Sequence, residues 1–296
     1  LCELIRADIP VPPGFSVTTE AYQEFLSKGG VKERIEKILS SIKLEDIASM
    51  EEASQTIREL IKQTPMPKII QEAIRSNYQA LSQVCEVPDI PVAVRSSATA
   101  EDLPGASFAG QQDTFLWVRG CEEVLDNIKS CMSSLFTSRA ISYRIKMGFP
   151  HEKVLISVGV QKIVDAKAAG VMFTLNPVNG DPSKVIIEGS WGLGEPVVSG
   201  QVNPDKFVVD KVTKEIVRTI SQKWIECIFD PQKGMVCHLD IPHERQESQC
   251  IEDQEIHELA RYAKRIEEYY GSPQAIEWAI DQHKPFPSKI FMVQSR

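Results

Sequence analysis

Residues 92–116, VAVRSSATAEDLPGASFAGQQDTFL, combine a cation, several hydroxyl groups and small side chains, a mixture suited to binding an anion. Arg95 ends an apolar run and is followed by Ser96, Ser97 and Thr99. A guanidinium group, hydroxyl groups and backbone N–H groups in one loop can together bind phosphate oxygens. The small residues in the second half of the segment let the backbone approach a ligand closely. The segment indicates a phosphate-binding loop, and a plain turn between strands is the alternative.

A second set of polar residues lies near the end of the chain, in the strand-like segments AIEWAI and FMVQSR. These segments contain Glu277 in the first and Gln294 and Arg296 in the second. Alternation in a strand places Gln294 and Arg296 on the same face. Carboxylate and amide oxygens can bind Mg²⁺, and an arginine can neutralise phosphate. Taken alone, this set would favour ordinary polar residues on an edge strand.

Two familiar nucleotide-binding motifs are absent from the sequence. There is no G-x-x-x-x-G-K-[ST] loop, and the segment GLGEPV has Val197 where a dinucleotide-binding fingerprint needs its third glycine. Any nucleotide must therefore be bound in another way.

Seven cysteines are scattered along the chain without a C-x-x-C pair, which indicates reduced thiols. Cys237, His238 and His243 lie close together in the sequence and raise the possibility of a metal site. No second ligand pair occurs at zinc-finger spacing, so a strand followed by a turn is the favoured interpretation of this segment.

The composition excludes some classes of partner. The chain has 296 residues, of which 42% are apolar, and a net charge of -8. That charge gives no basic surface for nucleic acid or anionic lipid, and no apolar run reaches the length of a membrane-spanning helix. We expect a folded cytoplasmic protein with neither nucleic acid nor membrane as a partner.

The periodicity of apolar residues predicts the elements that must position these groups. Helical spacing recurs in the first half of the chain, at residues 18–30, 31–42, 51–64, 67–83 and 121–148. A strand over 90–97 interrupts these helices. Alternating β-rich runs follow at 153–164, 168–178, 184–192, 205–210, 214–220, 274–280 and 289–296, with one helix at 252–271. The pattern predicts an α+β protein with a helix-rich half, 1–160, and a largely antiparallel sheet half, 161–296.

Six blocks of the sequence, in order, resemble the nucleotide-binding domain of the phosphoenolpyruvate synthase and pyruvate phosphate dikinase family. That family also includes rifampin phosphotransferases and the nucleotide-binding subunit of phenylphosphate synthase. The blocks are residues 9–26, 92–116, 138–144, 168–181, 186–210 and the terminal pair 274–280 with 291–296. The resemblance implies an ATP-grasp fold, in which ATP is bound between a helix-rich and a sheet-rich subdomain.

The resemblance also implies roles for individual residues, with ATP and Mg²⁺ as cofactors. Arg95 and Arg296 would bind the ATP phosphates and act in catalysis, with loops 96–99 and 107–111 closing over the phosphates. The segment Gln161, Lys162 and Ile163 would contact adenine. Contacts with the ribose and phosphates are implied for Thr174, Glu188 and Glu195, and metal binding for Glu277 and Gln294.

The sequence departs from the family pattern in two places. Family members usually begin with a GGKG segment whose lysine contacts phosphate, whereas this sequence begins just after it, at Leu1. The family also commonly has aspartate at the position of Ala275. We therefore expect a site with altered ATP affinity and with one carboxylate fewer near the metal or phosphate.

In this family, ATP first phosphorylates a histidine on a swivelling domain, which then carries the phosphoryl group to an acceptor. No histidine here lies in the Gly-Thr-Ser-His-like context of such a carrier; the five are His151, His238, His243, His257 and His283. We expect the chain to bind Mg·ATP and phosphorylate a histidine on a separate domain or subunit, for delivery to an acceptor such as pyruvate, phenol or rifampin. The alternatives are a non-catalytic ATP-sensing or scaffolding module and, less favoured, a carboxylate–amine ligase.

Overall fold

The computed structural model describes residues 1–28, 30–42, 46–98 and 113–296. The described chain separates into two compact units. The helical unit is Pro13–Ile163, and the sheet unit combines Leu1–Pro12 with Val164–Arg296. The predicted α+β class, with helices concentrated early and an antiparallel sheet later, is confirmed. The subdomain boundary expected at residue 160 stays a prediction.

The elements are numbered along the chain. The helices are α1 (Cys2–Arg6), α2 (Thr19–Lys28), α3 (Val31–Ser40), α4 (Ile47–Gln63), α5 (Lys68–Val84), α6 (Cys121–Ser134), α7 (Ser138–Met147), α8 (Glu195–Val198), α9 (His243–Gln246) and α10 (Asp253–Tyr270). The strands are β1 (Gly14–Val17), β2 (Val92–Ala98), β3 (Thr114–Val118), β4 (Ile156–Lys162), β5 (Ala166–Phe173), β6 (Lys184–Trp191), β7 (Asp205–Asp210), β8 (Ile216–Thr219), β9 (Ile225–Asp230), β10 (Met235–Asp240), β11 (Ala275–Asp281) and β12 (Ile290–Ser295). Within the described ranges, no helix is both long and apolar enough to cross a membrane.

The helical unit contains a four-stranded antiparallel sheet in the order β1-β4-β2-β3. Val92 and Val94 of β2 and Val158 and Val160 of β4 are buried in one cluster with apolar side chains of helices α2–α6. Because side chains alternate along a strand, the helices cover this face and the intervening residues lie on the other.

The single helix predicted over residues 121–148 is wrong, because the chain forms two helices there. Between α6 and α7, Thr137 has extended backbone angles and its hydroxyl accepts a hydrogen bond from the Ala140 N–H at 3.2 Å. A threonine that satisfies one of the free N–H groups at a helix start favours a new helix over continuation of the old one. The break was not predicted because the helical spacing of apolar residues continues across it.

The sheet unit is built on a six-stranded antiparallel sheet in the order β12-β11-β5-β6-β7-β8. Helix α10 packs on one face, where Ile256, Leu259 and Ile266 share a buried cluster with Trp278 and Phe207. Its start is fixed by a capping box, in which the side chains of Glu252 and Glu255 accept hydrogen bonds from each other's backbone N–H groups.

The N-terminal segment belongs to the sheet unit although it precedes the helical unit in the chain. Leu4 and Ile9 are buried in the cluster beneath α10, and the Met292 N–H of β12 donates a hydrogen bond to the Pro10 carbonyl at 2.8 Å. Burial of these apolar side chains explains why the segment packs there. No sequence pattern had indicated this long-range placement.

Gly189 of β6 makes room for the indole of Trp278 on the face covered by α10. A β-carbon at this position would lie 2.6 Å from Cζ2 of Trp278. No side chain tolerates such a distance, so the glycine of the IIEGSWG segment is explained by packing.

His151 should make the stability of the helical unit depend on pH. Its Nδ1 accepts a hydrogen bond from Arg144 Nε at 2.8 Å, and burial together with the Arg144 charge lowers the pKa of His151 to about 4. The unfolded pKa is higher, at about 6.5. The unfolded chain therefore binds more protons between these values, so stability is complete above about pH 6.5 and is lost as the pH falls towards 4.

Urea unfolding at pH 7.5 and pH 5 measures this effect. Because the His151 side chain is partly exposed, we expect it to account for a loss of only about 1–2 kcal/mol, which His151→Gln should remove. The same substitution at exposed His243 is the control and should leave the loss unchanged. An equal pH dependence in the wild type and in His151→Gln would contradict the assignment.

Candidate functional site

A row of polar residues crosses the sheet unit on the face opposite α10. Residues directly opposite each other in neighbouring antiparallel strands share a face and have neighbouring side chains. From β12 to β8 the paired positions are Gln294, Glu277, Val171, Glu188, Lys206 and Thr219. We call this set the polar row; it brings together three residues that the resemblance implicated separately.

A residue adjacent in sequence on each central strand shows why this face carries the polar groups. Trp278 of β11, Met172 of β5, Ile187 of β6 and Phe207 of β7 all lie in the cluster buried by α10. Their neighbours in the sequence must therefore lie on the other face. The strand periodicity thus positions Glu277, Glu188 and Lys206 together with no contribution from loops.

Glu277 and Gln294 are direct cross-strand partners at the end of the polar row. Such partners have β-carbons about 4.5–5.5 Å apart. Both side chains are partly buried, and a β-bulge follows Glu277 before Trp278. A carboxylate oxygen and an amide oxygen therefore lie within reach of one cation. Their metal role stays a prediction.

Glu188 and Lys206 form the middle of the polar row. Lys206 Nζ lies 3.6 Å from Glu188 Oε1, and both side chains are partly exposed. The family resemblance implicated Glu188 but not Lys206. Alternation in DKFVVD predicts that Lys206 and the buried Phe207 lie on opposite faces of the sheet. That Lys206 lies beside Glu188 is known only from the pairing of β6 with β7.

Arg296 extends the ladder beyond β12. Its N–H donates to the Ala275 carbonyl at 2.9 Å, and its carbonyl accepts from the Ala275 N–H at 2.8 Å. Ala275 and Glu277 alternate on β11, so Arg296 lies beside the polar row on the same face. Ala275, where family members commonly have aspartate, is thus the direct cross-strand partner of Arg296.

Thr174 connects the end of β5 to the start of β11. The fully buried hydroxyl accepts a hydrogen bond from the Gln274 N–H at 2.8 Å, while the Thr174 N–H donates to the Gln274 carbonyl at 3.0 Å. These contacts hold β11 in register and give the threonine a structural role. Its implied ligand contact stays a prediction.

Glu195, the first residue of α8, lies away from the polar row in a cluster with Cys227 and His238. Its Oε2 is 3.1 Å from His238 Nε2 and 3.8 Å from Cys227 Sγ. Burial and the Glu195 charge raise the pKa of Cys227 to about 12, so the thiol is protonated and donates to the carboxylate. Cys237 and His238 lie in β10, which confirms the predicted strand.

In the helical unit, Arg95 and Gln161 share the face of the four-stranded sheet that the helices do not cover. Arg95 is paired with Gly159, two residues before Gln161 on β4, and alternation places both side chains on one side. Lys162 lies on the opposite face, since it is paired with Val92.

Lys162 and Ile163, which the resemblance also implicated, are fixed by backbone hydrogen bonds. The Lys162 N–H donates to the Pro13 carbonyl at 2.8 Å, and the N–H of buried Ile163 donates to the Pro91 carbonyl at 3.0 Å. Thr99 and the loop 107–111 lie outside the described residues. The roles of Arg95, Gln161, Lys162 and Ile163 stay predictions.

A family model described as "Pyruvate phosphate dikinase, AMP/ATP-binding domain" matches residues 1–296. The probable phosphoenolpyruvate synthase of Staphylothermus marinus is 46% identical over 318 residues, which cover all of this chain and 38% of that protein. The probable phosphoenolpyruvate synthase of Methanocaldococcus jannaschii is 45% identical over 297 residues, which cover all of this chain and 24% of that protein.

The phosphoenolpyruvate synthase of Pyrococcus furiosus is 42% identical over 334 residues, all of this chain and 40% of that protein. The chain therefore spans between a quarter and two fifths of the length of these relatives. Among solved structures, D-alanyl-alanine synthetase A of Vibrio cholerae aligns with 99% of this chain and 52% of its own, at 11% identity and a TM-score of 0.34. A likeness at that level supports no conclusion.

Proposed function

Since this chain belongs to the pyruvate phosphate dikinase AMP/ATP-binding domain family, we propose that it binds Mg·ATP and transfers a phosphoryl group to a histidine on a separate domain or subunit. The observation that carries the proposal is the polar row, with Arg296 beside it on the same sheet face. Oxygen ligands and cations side by side suit a metal-bound polyphosphate.

The donor set at the end of the polar row suits Mg²⁺. Glu277 would offer a carboxylate oxygen and Gln294 an amide oxygen, both hard ligands of the kind that Mg²⁺ takes. When bound, the ion would neutralise charge on the phosphates as the phosphoryl group departs. Glu277 and Gln294 would hold that ion at the end of the polar row.

The cations of the chain act on the phosphate oxygens. Arg296 forms charge-assisted hydrogen bonds to them, and Lys206, held by Glu188 in the middle of the polar row, adds a second positive charge. For Arg95 of the helical unit, the family resemblance supports a contact with ATP phosphate oxygens. In phosphoryl transfer, positioning and charge stabilisation supply most of the catalysis.

The remaining assignments concern the nucleoside. The segment Gln161–Lys162–Ile163 contacts adenine largely through backbone groups and apolar contact, although the Lys162 and Ile163 N–H groups already donate to the Pro13 and Pro91 carbonyls. The family resemblance supports contacts of Thr174, Glu188 and Glu195 with the ribose or phosphates, although Thr174 and Glu195 already have other partners.

The phosphoryl acceptor is pyruvate in this proposal, because the relatives of highest similarity reported above are named phosphoenolpyruvate synthases. Those relatives are much longer than the matched region, which leaves room for a histidine-carrying domain in them. All seven cysteines are free thiols, which suits a reducing cytoplasm. A non-catalytic ATP sensor is less favoured because Arg95, Glu277, Gln294 and Arg296 are all present.

Calorimetry with Mg·ATP tests the assignment of the two arginines. Loss of a charge-assisted hydrogen bond to phosphate costs about 1.5–3 kcal/mol, so Arg95→Ala and Arg296→Ala should each weaken binding roughly tenfold or more. Arg261→Ala is the matched control, because Arg261 is exposed on α10, on the other side of the sheet. Unchanged affinity in both variants would mean that the phosphate site lies elsewhere.

A further inference from the structure

Three side chains of the sheet unit bring different kinds of metal-ligand atom together. They are Glu195 at the start of α8, Cys227 of β9 and His238 of β10. Glu195 Oε2 lies 3.1 Å from His238 Nε2 and 3.8 Å from Cys227 Sγ, and all three atoms lie within 4.8 Å of one another. In the described parts of the chain, no other three histidine, cysteine or acidic side chains are grouped in this way.

The pairing of β9 with β10 positions two of these side chains. Cys227 and His238 are direct cross-strand partners, so their side chains are neighbours on one face of the hairpin. Cys237 is paired with Ile228 and lies on the other face. The Leu193 N–H donates to the Cys227 carbonyl at 2.7 Å, which ties the segment before α8 to β9. The cysteine that accompanies His238 is therefore Cys227, and not its neighbour in the sequence.

The separations of the three atoms match those of ligands around one tetrahedral ion. Zinc binds nitrogen and oxygen at about 2.0–2.2 Å and sulfur at about 2.3 Å, so two of its ligand atoms lie about 3.3–3.6 Å apart. The 3.1 and 3.8 Å from Glu195 Oε2 to its two neighbours differ from those values by only a few tenths of an ångström. A small rotation of the exposed Glu195 and His238 side chains would place all three atoms around one ion.

The same arrangement does not suit nucleophilic catalysis by Cys227. Burial and the Glu195 charge raise the pKa of this thiol to about 12, so it is protonated at neutral pH. A catalytic cysteine needs a thiolate, which is commonly produced by a hydrogen bond to histidine. Here the thiol donates to the Glu195 carboxylate instead. A divalent cation would change this state, because a thiol that binds a metal loses its proton.

We propose that Glu195, Cys227 and His238 bind one Zn²⁺ ion through Oε2, Sγ and Nε2. The thiol proton of Cys227 passes to solvent as the sulfur binds the ion, and His238 binds as the neutral imidazole. The thiolate and the carboxylate then balance the two positive charges of the ion. Glu195 and His238 are exposed and give the ion a path from solvent, and a water molecule takes the fourth position, as in other zinc sites with three protein ligands.

The ligand types distinguish this site from the magnesium site proposed at the polar row. Mg²⁺ takes oxygen ligands, whereas a thiolate, an imidazole and a carboxylate together suit Zn²⁺. The polar row contains no sulfur atom. The family resemblance also implicated Glu195 in ATP binding, but the zinc proposal does not rest on that role, because zinc binding is measured without nucleotide.

Titration of the whole chain with Co²⁺, after removal of bound metal with a chelator and in excess Mg²⁺, tests the proposal. Co²⁺ binds the same nitrogen, oxygen and sulfur ligands as Zn²⁺, and a thiolate ligand gives it a near-ultraviolet charge-transfer band that oxygen ligands do not give. We expect one Co²⁺ per chain with this band, and its displacement by Zn²⁺. Cys227→Ser should lose the band, whereas Cys237→Ser, on the other face of the hairpin, should keep it.

The zinc affinity of His238→Ala is the second measurement. Loss of a residue that only orients a ligand costs about 10–100-fold in metal affinity, so loss of the ligand itself should cost roughly a hundredfold or more. His243→Ala, at another exposed histidine, is the control and should bind Zn²⁺ as the wild type does.

The proposal is overturned if Co²⁺ does not bind, if it binds without the thiolate band, or if Cys227→Ser keeps that band. Equal zinc affinity in the wild type and His238→Ala would also overturn it. If Cys227→Ser fails to fold, His238→Ala carries the test, because His238 is exposed and its loss leaves the core intact.

Discussion

Replacement of Glu277 by glutamine is expected to slow phosphoryl transfer from ATP to the histidine acceptor by about a hundredfold or more, the range for loss of one group that stabilises transition-state charge. The amide keeps the size and part of the hydrogen bonding of the carboxylate but removes its charge from the cation. Because adenine contacts are untouched, ATP affinity should fall much less. Transfer of labelled phosphate from ATP to the histidine-carrying domain or subunit measures the rate.

Glu268→Gln is the matched control for this experiment. Glu268 is exposed on α10, on the opposite side of the sheet, and its ion pair with Lys264 is long, at 3.8 Å. This variant should transfer phosphate at the wild-type rate. Wild-type transfer by Glu277→Gln would instead mean that the glutamate is structural and that the metal is bound elsewhere.

Replacement of Lys223 by methionine is expected to destabilise the protein by about 3–5 kcal/mol, the cost of leaving one member of a buried ion pair alone. Lys223 and Asp205 are both fully buried, with Nζ and Oδ1 2.6 Å apart. Asp205 also accepts hydrogen bonds from the Ser221 and Cys250 N–H groups, at 3.0 and 2.9 Å. Asp205 begins β7, next to Lys206, so the pair anchors the strand that carries Lys206 in the polar row.

Denaturant unfolding of the whole chain measures this loss. Lys264→Met is the control, because an exposed ion pair contributes about 0–1 kcal/mol. If Lys223→Met were as stable as that control, the buried pair would have no part in holding β7 to the 221–250 segment.

Local sequence patterns predicted most of the helices and strands, but not which strands lie next to each other in the sheets. Alternation in AIEWAI and FMVQSR identified the two terminal strands, and apolar spacing identified α10 and the four helices α2–α5. The polar row could not be derived in this way, since it places β11 beside β5, and these two strands are more than a hundred residues apart in the sequence. Lys206 was missed for a different reason, because its pairing with Glu188 depends on the register of β6 and β7, which no local pattern specifies.

Some residues implied by the resemblance have partners that only the folded chain reveals. The Thr174 hydroxyl is occupied by the Gln274 N–H, and Glu195 by His238 and Cys227. These contacts join segments distant in the sequence, so no local pattern could indicate them. Likewise, the SRAISYR segment showed apolar spacing but did not indicate that Arg144 is buried with no hydrogen-bond partner for its terminal nitrogens within the described part of the chain.

A crystal of the protein grown with Mn²⁺ and a non-hydrolysable ATP analogue would test most directly whether the polar row binds the metal of Mg·ATP. Mn²⁺ takes the oxygen ligands that Mg²⁺ takes, and its anomalous scattering locates it independently of the nucleotide. We predict one Mn²⁺ ion bound to the Glu277 carboxylate, the Gln294 amide oxygen and phosphate oxygens, with Arg296 on the same polyphosphate. A nucleotide-bound Mn²⁺ ion with neither Glu277 nor Gln294 among its ligands would contradict the assignment.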